Sequence, residues 1–239
     1  MAKKKDAAEE KLAVVEETLG KTEQFIENNK KMISYVIYGI VAVVLIVMGY
    51  NKYIVKPREM NAFNAMYQAE WYFEKDSFNL ALEGDGINPG FLSIIDDYGS
   101  TKSGNLANYY AGLCYMHLAE QDTTAAAQEN YQNALDYLDD FSSDDELIMP
   151  MALGAMGDAY DNLGESEKAA SKYVEAADFT DNEFSTPLFL MKAGIVYSSL
   201  GNHEKALEMF NRIKKDYYTS DQGRNVRKYI AREKELIGE

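Results

Sequence analysis

The expected fold class is all-α: an N-terminal amphipathic helix, one transmembrane helix, then an α-solenoid of helical pairs with a C-terminal capping helix. Three observations carry this expectation. An uncharged run fills 32–51, a pattern of small and aromatic residues recurs in the C-terminal half, and 4 Pro with 16 Gly are too few for the turns of a sheet-rich protein. At 239 residues, 46% hydrophobic and 26% charged, the chain is long and apolar enough for one or two folded domains and is not a disordered polymer.

A formal net charge of -15 repels phosphate backbones and sets nucleic acid aside as a general partner. The single cysteine, Cys114, excludes an internal disulfide and a multi-thiolate zinc site. Two histidines, His117 and His203, give a His-rich metal site no support.

Residues 1–31 read as a cytoplasmic tail, neutral overall with seven Lys and seven acidic residues. Ala8, Leu12, Val15, Leu19, Thr22 and Ile26 alternate spacings of four and three, the seam of a short coiled coil. Leu12, Val15, Leu19 and Ile26 are therefore candidates for meeting a partner helix. A solvated or membrane-surface helix is the alternative, because three heptads with Thr and Ala in the seam are marginal in isolation.

From Met32 to Asn51 there are 20 residues without a charge. At about 1.5 Å per residue they make roughly 30 Å of helix, the thickness of a bilayer's hydrocarbon core. A buried core helix normally carries a polar stripe, and this run offers only Ser34 and tyrosine hydroxyls. A cleaved signal peptide fits poorly, since 31 residues precede the run and no small-x-small site stands before Pro57. Seven Lys ahead of the span against Lys52, Lys56 and Arg58 behind it orient the N-terminus to the cytoplasm. The chain then reads as a single-pass protein of the bacterial inner (cytoplasmic) membrane with a periplasmic C-terminal domain. Tyr35 and Tyr38 near one end and Tyr50 and Tyr53 near the other suit the two interfaces. Residues 57–239 hold 15 Lys and Arg against 32 Asp and Glu, a net of -17, so the acidity belongs to the exported domain.

Residues 57–104 read as a degenerate first helical unit. Ala62, Ala65, Ala69, Tyr72 and Phe73 follow a helical pattern, Asp76 is the expected N-cap of a helix over 77–82, and Gly84, Asp85, Gly86, Pro89 and Gly90 form a loop before a short helix at 91–98.

Residues 105–239 carry the repeats. Gly157 and Gly194 are each followed after three positions by tyrosine (Tyr160, Tyr197), after seven by glycine (Gly164, Gly201) and after twelve by alanine (Ala169, Ala206). Four residues later an aromatic, Tyr173 or Phe210, closes the pattern. Small residues let antiparallel helices approach, and the aromatics fill the space between them. An earlier copy has Gly112, Tyr115, Ala127, Tyr131 and Ala134, with Ala119 in place of the inter-helix glycine. The pattern resembles the tetratricopeptide repeat, in copies at about 105–141, 150–183 and 187–220. The stretch 220–236, with Val226 and Ile230 on one face and Ile237 just beyond it, reads as the capping helix a solenoid requires. Eight of the domain's 15 basic residues lie between Arg212 and Lys234, so an acidic partner is the second reading of that stretch.

A cytoplasmic tail, one span and an acidic tetratricopeptide domain together resemble the YfgM-like ancillary subunit of the SecYEG translocon. The segments Tyr72-Phe73-Glu74-Lys75-Asp76-Ser77-Phe78 and Gly90 to Ala107 look like that family's form in Bacteroidota. The resemblance covers the full chain and departs at Ala119. It implies a non-catalytic accessory subunit of the export translocon, a periplasmic platform beside SecYEG, a membrane-anchored PpiD-type prolyl isomerase and newly exported client chains. A membrane-anchored envelope scaffold organising assembly or division complexes independently of Sec is the alternative function, and a direct holdase activity is a third.

Catalysis finds no motif: there is no nucleotide-binding glycine loop and no His-Glu-x-x-His, so neither an enzyme nor a cofactor is expected. Cys114 and His117 sit three apart on one helix, where a buried structural cysteine is the plainer reading. The acidic run 136–146 lacks the alternating ligands and central glycine of a calcium loop. Projection from the aligned tyrosines places Leu106, Tyr109, Leu113, Met116, Met151, Leu188, Met191 and Ile195 on the concave wall, an apolar surface suited to an apolar segment or partner helix. A clamp for a terminal carboxylate needs Lys, Arg and Asn there, and only Lys192 lies near, one residue off the row. The alternative is a wall filled by the protein's own N-terminal helix or by its core, which leaves no groove.

Overall fold

In a computed structural model the backbone is described over 2–238 and the side chains over 24–238. Leu12, Val15 and Leu19 of the expected seam lie outside the described side chains, and Ile26 is exposed. The chain divides into two compact units, Met1–Pro57 and Arg58–Glu239.

The first unit is helix α1 (Ala2–Tyr50) and a π-helical turn, Asn51–Val55. A core helix of a soluble protein hides its apolar side chains. None of 32–51 is buried, and Leu45 and Ile46 are 62% and 70% exposed. In the π turn the Lys56 amide reaches the Asn51 carbonyl, five residues back. Pro57 follows, and its ring would crowd the carbonyl four residues before it; the wider turn takes up that crowding.

The second unit is helical throughout its named elements: α2 (Lys56–Glu74, which begins at the boundary), α3 (Phe78–Glu83), α4 (Phe91–Tyr98), α5 (Lys102–Gln121), α6 (Ala126–Asp140), α7 (Ile148–Asn162), α8 (Ser166–Phe179), α9 (Ser185–Ser199), α10 (His203–Asp216) and α11 (Asp221–Ile237). Asp76 does not cap α3. It adopts a left-handed conformation at φ 54°, and its amide and that of Ser77 donate back to the Phe73 and Tyr72 carbonyls, so it terminates α2. Ser77 stands at the N-cap of α3 instead.

A first core gathers Met66, Ala69, Phe78, Leu82, Phe91 and Ile94 against Ala107, Ala111 and Cys114 of α5. Phe91 stacks on Tyr110 with ring centres 5.2 Å apart. The loop between α3 and α4 is tied by Asp85, whose carboxylate accepts from the Ile87 and Asn88 amides, the Asn88 side chain and the Tyr72 hydroxyl. These bonds hold the Asp85 carboxyl far below the usual carboxylate range. A second core runs from Met116 to Ile230 through α5–α11.

The glycines of the repeat pattern are where helices touch. A Cβ on Gly157 would stand 2.5 Å from the Tyr173 ring, and one on Gly194 would stand 2.4 Å from the Phe210 ring. In the earlier pair the Gly112 contact is Leu138, at 2.6 Å, although Tyr131 occupies the aromatic place in the sequence pattern. Gly164 and Gly201 end α7 and α9 at φ +78° and +73°, the left-handed geometry that suits glycine. Ala119, in their place, stays helical, and α5 continues to Gln121 before Asp122 turns the chain by accepting from the Thr124 amide.

Candidate interaction surfaces

α5, α7, α9 and α11 touch in succession, while among the described residues α6, α8 and α10 meet only their sequence neighbours. The first row is the one onto which the expected concave-wall residues project. Of the residues projected onto it, Leu106, Tyr109, Met151, Leu188 and Met191 are half-buried and pack against the second core. Tyr109 lies 5.3 Å from the Phe141 ring. Leu113 is half-buried and Ile195 is 45% exposed. Met116 departs from the projection: at 5% exposure it is a core residue and offers a ligand nothing. The wall is thus partly filled by its own side chains, because adjacent inner helices stand close enough to share them.

A polar knot crosses this wall. Asp158 of α7 accepts from both the Tyr173 hydroxyl of α8 at 2.5 Å and the Lys192 ammonium of α9 at 2.5 and 2.8 Å. Lys192 also stands 5.3 Å from the centre of the Tyr173 ring. Burial, with the Asp158 carboxylate beside it, raises the Tyr173 phenol well above its ordinary range. Lys192, the cation one residue off the expected row, is paired with Asp158 and is not free to hold a terminal carboxylate. Sequence reading missed the pairing. Asp158 corresponds to Ile195 one repeat on, and Lys192 lies three residues, one helical turn, before it.

No protein-family model and no curated protein matches the chain. Among solved structures it is similar to the crystal structure of a Podosopora anserina chain described as a kinesin light chain with nearly identical TPR-like repeats. The match has a TM-score of 0.50 and 12% identity and covers 74% of this chain and 87% of the other. The fold is a TPR-like solenoid. Stacked repeats of this kind present an extended surface along the solenoid.

Both ends of the TPR-like stack are sealed by polar side chains. At the front, Glu59 of α2 accepts from the Lys102 and Ser103 amides and the Ser103 hydroxyl, which stops the first turn of α5. Burial works against its charge, but those donors outweigh it and lower its pKa. At the back, Glu233 of α11 is buried and accepts from the Ser198 hydroxyl at 2.7 Å, with His203 Nδ1 at 2.7 Å from its other oxygen. This joins the capping helix to α9 and α10.

α5 and α11 also begin alike. Thr101 and Ser220 donate their hydroxyls to the Tyr98 and Tyr217 carbonyls and accept from the Gly104 and Gly223 amides. A Cβ on either glycine would fall 2.0 to 2.1 Å from that same carbonyl oxygen. The pattern Tyr-x-x-Ser/Thr-x-x-Gly stands in the sequence at both places and lies outside the repeat pattern.

Cys114 is fully buried, and burial pushes its thiol up to about 12. Among the described residues no cluster of three or more His, Cys, Asp or Glu is placed to hold a metal ion.

Proposed function

We propose that the protein is a membrane-anchored, non-catalytic interaction platform of the bacterial export machinery, an accessory subunit of SecYEG that works with a PpiD-type prolyl isomerase on newly exported chains. One observation carries the anchored part of this reading: the 20-residue uncharged run is helical, long enough to span, and buries nothing within the protein. The Lys distribution favours a cytoplasmic N-terminus and a periplasmic solenoid. The TPR-like fold supports a protein partner in general. The layout of tail, span and acidic repeats, with the segment 90–107, is what favours the translocon over other partners.

The test is purification from membranes in mild detergent, with the copurifying chains identified. SecYEG subunits together with a membrane-anchored prolyl isomerase are the expected result. Their absence, with division or assembly proteins in their place, turns the assignment to an envelope scaffold independent of Sec. For the concave wall, Leu113→Asp with Met191→Asp at unchanged helical circular dichroism is expected to lower partner capture, and unchanged capture removes that wall as the binding surface.

A further inference from the structure

Helix α2 has two apolar faces. Ala62, Met66 and Ala69 are buried in the domain. The opposite face sets Met60, Phe63, Tyr67 and Trp71 in solvent at 59%, 66%, 72% and 44% exposure. Spacings of three, four and four keep these side chains on one stripe. Asn61, Asn64 and Gln68 border it, and residues 60–69 contain no charge. Arg58 and Glu59 just before it bond to the Asp97 carbonyl and to the start of α5. A helix on the outside of a domain with a net charge of -17 would ordinarily carry charges outward. Methionine and aromatic residues without charge are instead the composition of an interface centre.

We infer that this face of α2 is the contact with a second copy of the same chain, paired about a two-fold axis. A two-fold contact places each residue against its own counterpart's surroundings, so the patch must complement itself. Asparagine and glutamine each carry a donor and an acceptor and satisfy that condition with their own images. Between Lys56 and Glu74, which lie on the same row at its two ends, the stripe is uncharged and meets itself without repulsion, while a domain with a net charge of -17 repels its copies overall.

The exposed fractions of the three aromatics and Met60 amount to roughly 500 Å² per copy, against about 800 Å² per partner in a standard stable complex. Pairing is therefore weak in free solution and firmer between copies confined to one membrane, a step that rests on the proposed anchor.

Cross-linking of the full chain in its own membrane tests this. Asn64→Cys introduces an exposed thiol beside the stripe, while native Cys114 stays buried and unreactive. Two differently tagged copies are coexpressed and oxidised mildly, with Asn211→Cys on α10 as the control. The expected result is a disulfide dimer holding both tags for Asn64→Cys, none for Asn211→Cys, and at least a fivefold loss when Phe63→Asp and Tyr67→Asp are added at unchanged circular dichroism.

Alkaline carbonate extraction of the same membranes separates the two readings. A retained chain that yields no dimer overturns the pairing and leaves the anchor standing. A released chain overturns the anchor, and the pairing then stands or falls on cross-linking of the purified chain at high concentration. An adduct of Asn64→Cys with a different polypeptide also overturns the pairing. So does shielding of Asn64→Cys from a water-soluble maleimide in vesicles holding one copy each, which assigns the face to lipid.

Discussion

Asp158 and Lys192 meet between α7 and α9 at 2.5 and 2.8 Å, and the same carboxylate takes the Tyr173 hydroxyl of the helix between them. One side chain thereby links three consecutive helices. Both charged groups are about one-third exposed, so solvent screens the ion pair and the phenol bond is the larger contribution. Asp158→Ala is expected to lower the unfolding free energy by about 1–3 kcal/mol, and Lys192→Met by no more than about 1 kcal/mol. Urea denaturation of the two variants measures the order; a larger loss for Lys192→Met contradicts it.

The repeat glycines divide into two physical classes. Gly194→Ala drives a methyl into the Phe210 ring, and overpacking of that kind costs about 1–3 kcal/mol. Phe210→Leu added to it should restore part of the loss. Gly201→Ala meets open space and suffers only from φ +73°, a cost of about 1 kcal/mol that no change in packing relieves. Thermal unfolding of the single and double variants distinguishes the classes by rescue.

Removing Glu233 leaves the Ser198 hydroxyl and His203 facing an empty buried site. Glu233→Ala is expected to cost about 3 kcal/mol, with the loss concentrated at the cap. Hydrogen exchange should show α11 amides opening well before those of α7 and α8. Uniform acceleration along the stack refutes a local capping role.

The front end of the domain holds two acid-sensitive carboxylates. Asp85 has a folded pKa held below its unfolded value, so the stability it adds is complete above the ordinary carboxylate range, about pH 4, and fades as pH falls toward the depressed value. Glu59 acts in the same direction. Asp85→Ala should flatten the loss of stability below about pH 4, read as Tm against pH. An unchanged acid limb removes Asp85 from that role.

Much of the solenoid was legible because its signal is local and periodic. A small residue one helix turn before a tyrosine, and an aromatic sixteen positions on, state which face must come close and what fills the gap; Gly157 with Tyr173 and Gly194 with Phe210 do this. The N-terminal helix was legible for a similar reason, since length and the absence of charge are read directly along the chain. Asp76 was misread because the same residue type caps a following helix and tolerates the left-handed turn that ends a preceding one.

The sequence alone determined that the chain is helical, that small and aromatic residues mesh its pairs, and that an uncharged helix precedes an acidic domain. Only the tertiary structure decided that Met116 is core while Ile195 is open, that Gly112 rests on Leu138, that Lys192 pairs with Asp158, and that α2 turns aromatic side chains outward. Periodicity assigns a residue to a face of its own helix. Whether that face is covered depends on how near a neighbouring helix comes, which is set by side chains in other repeats and by no local pattern.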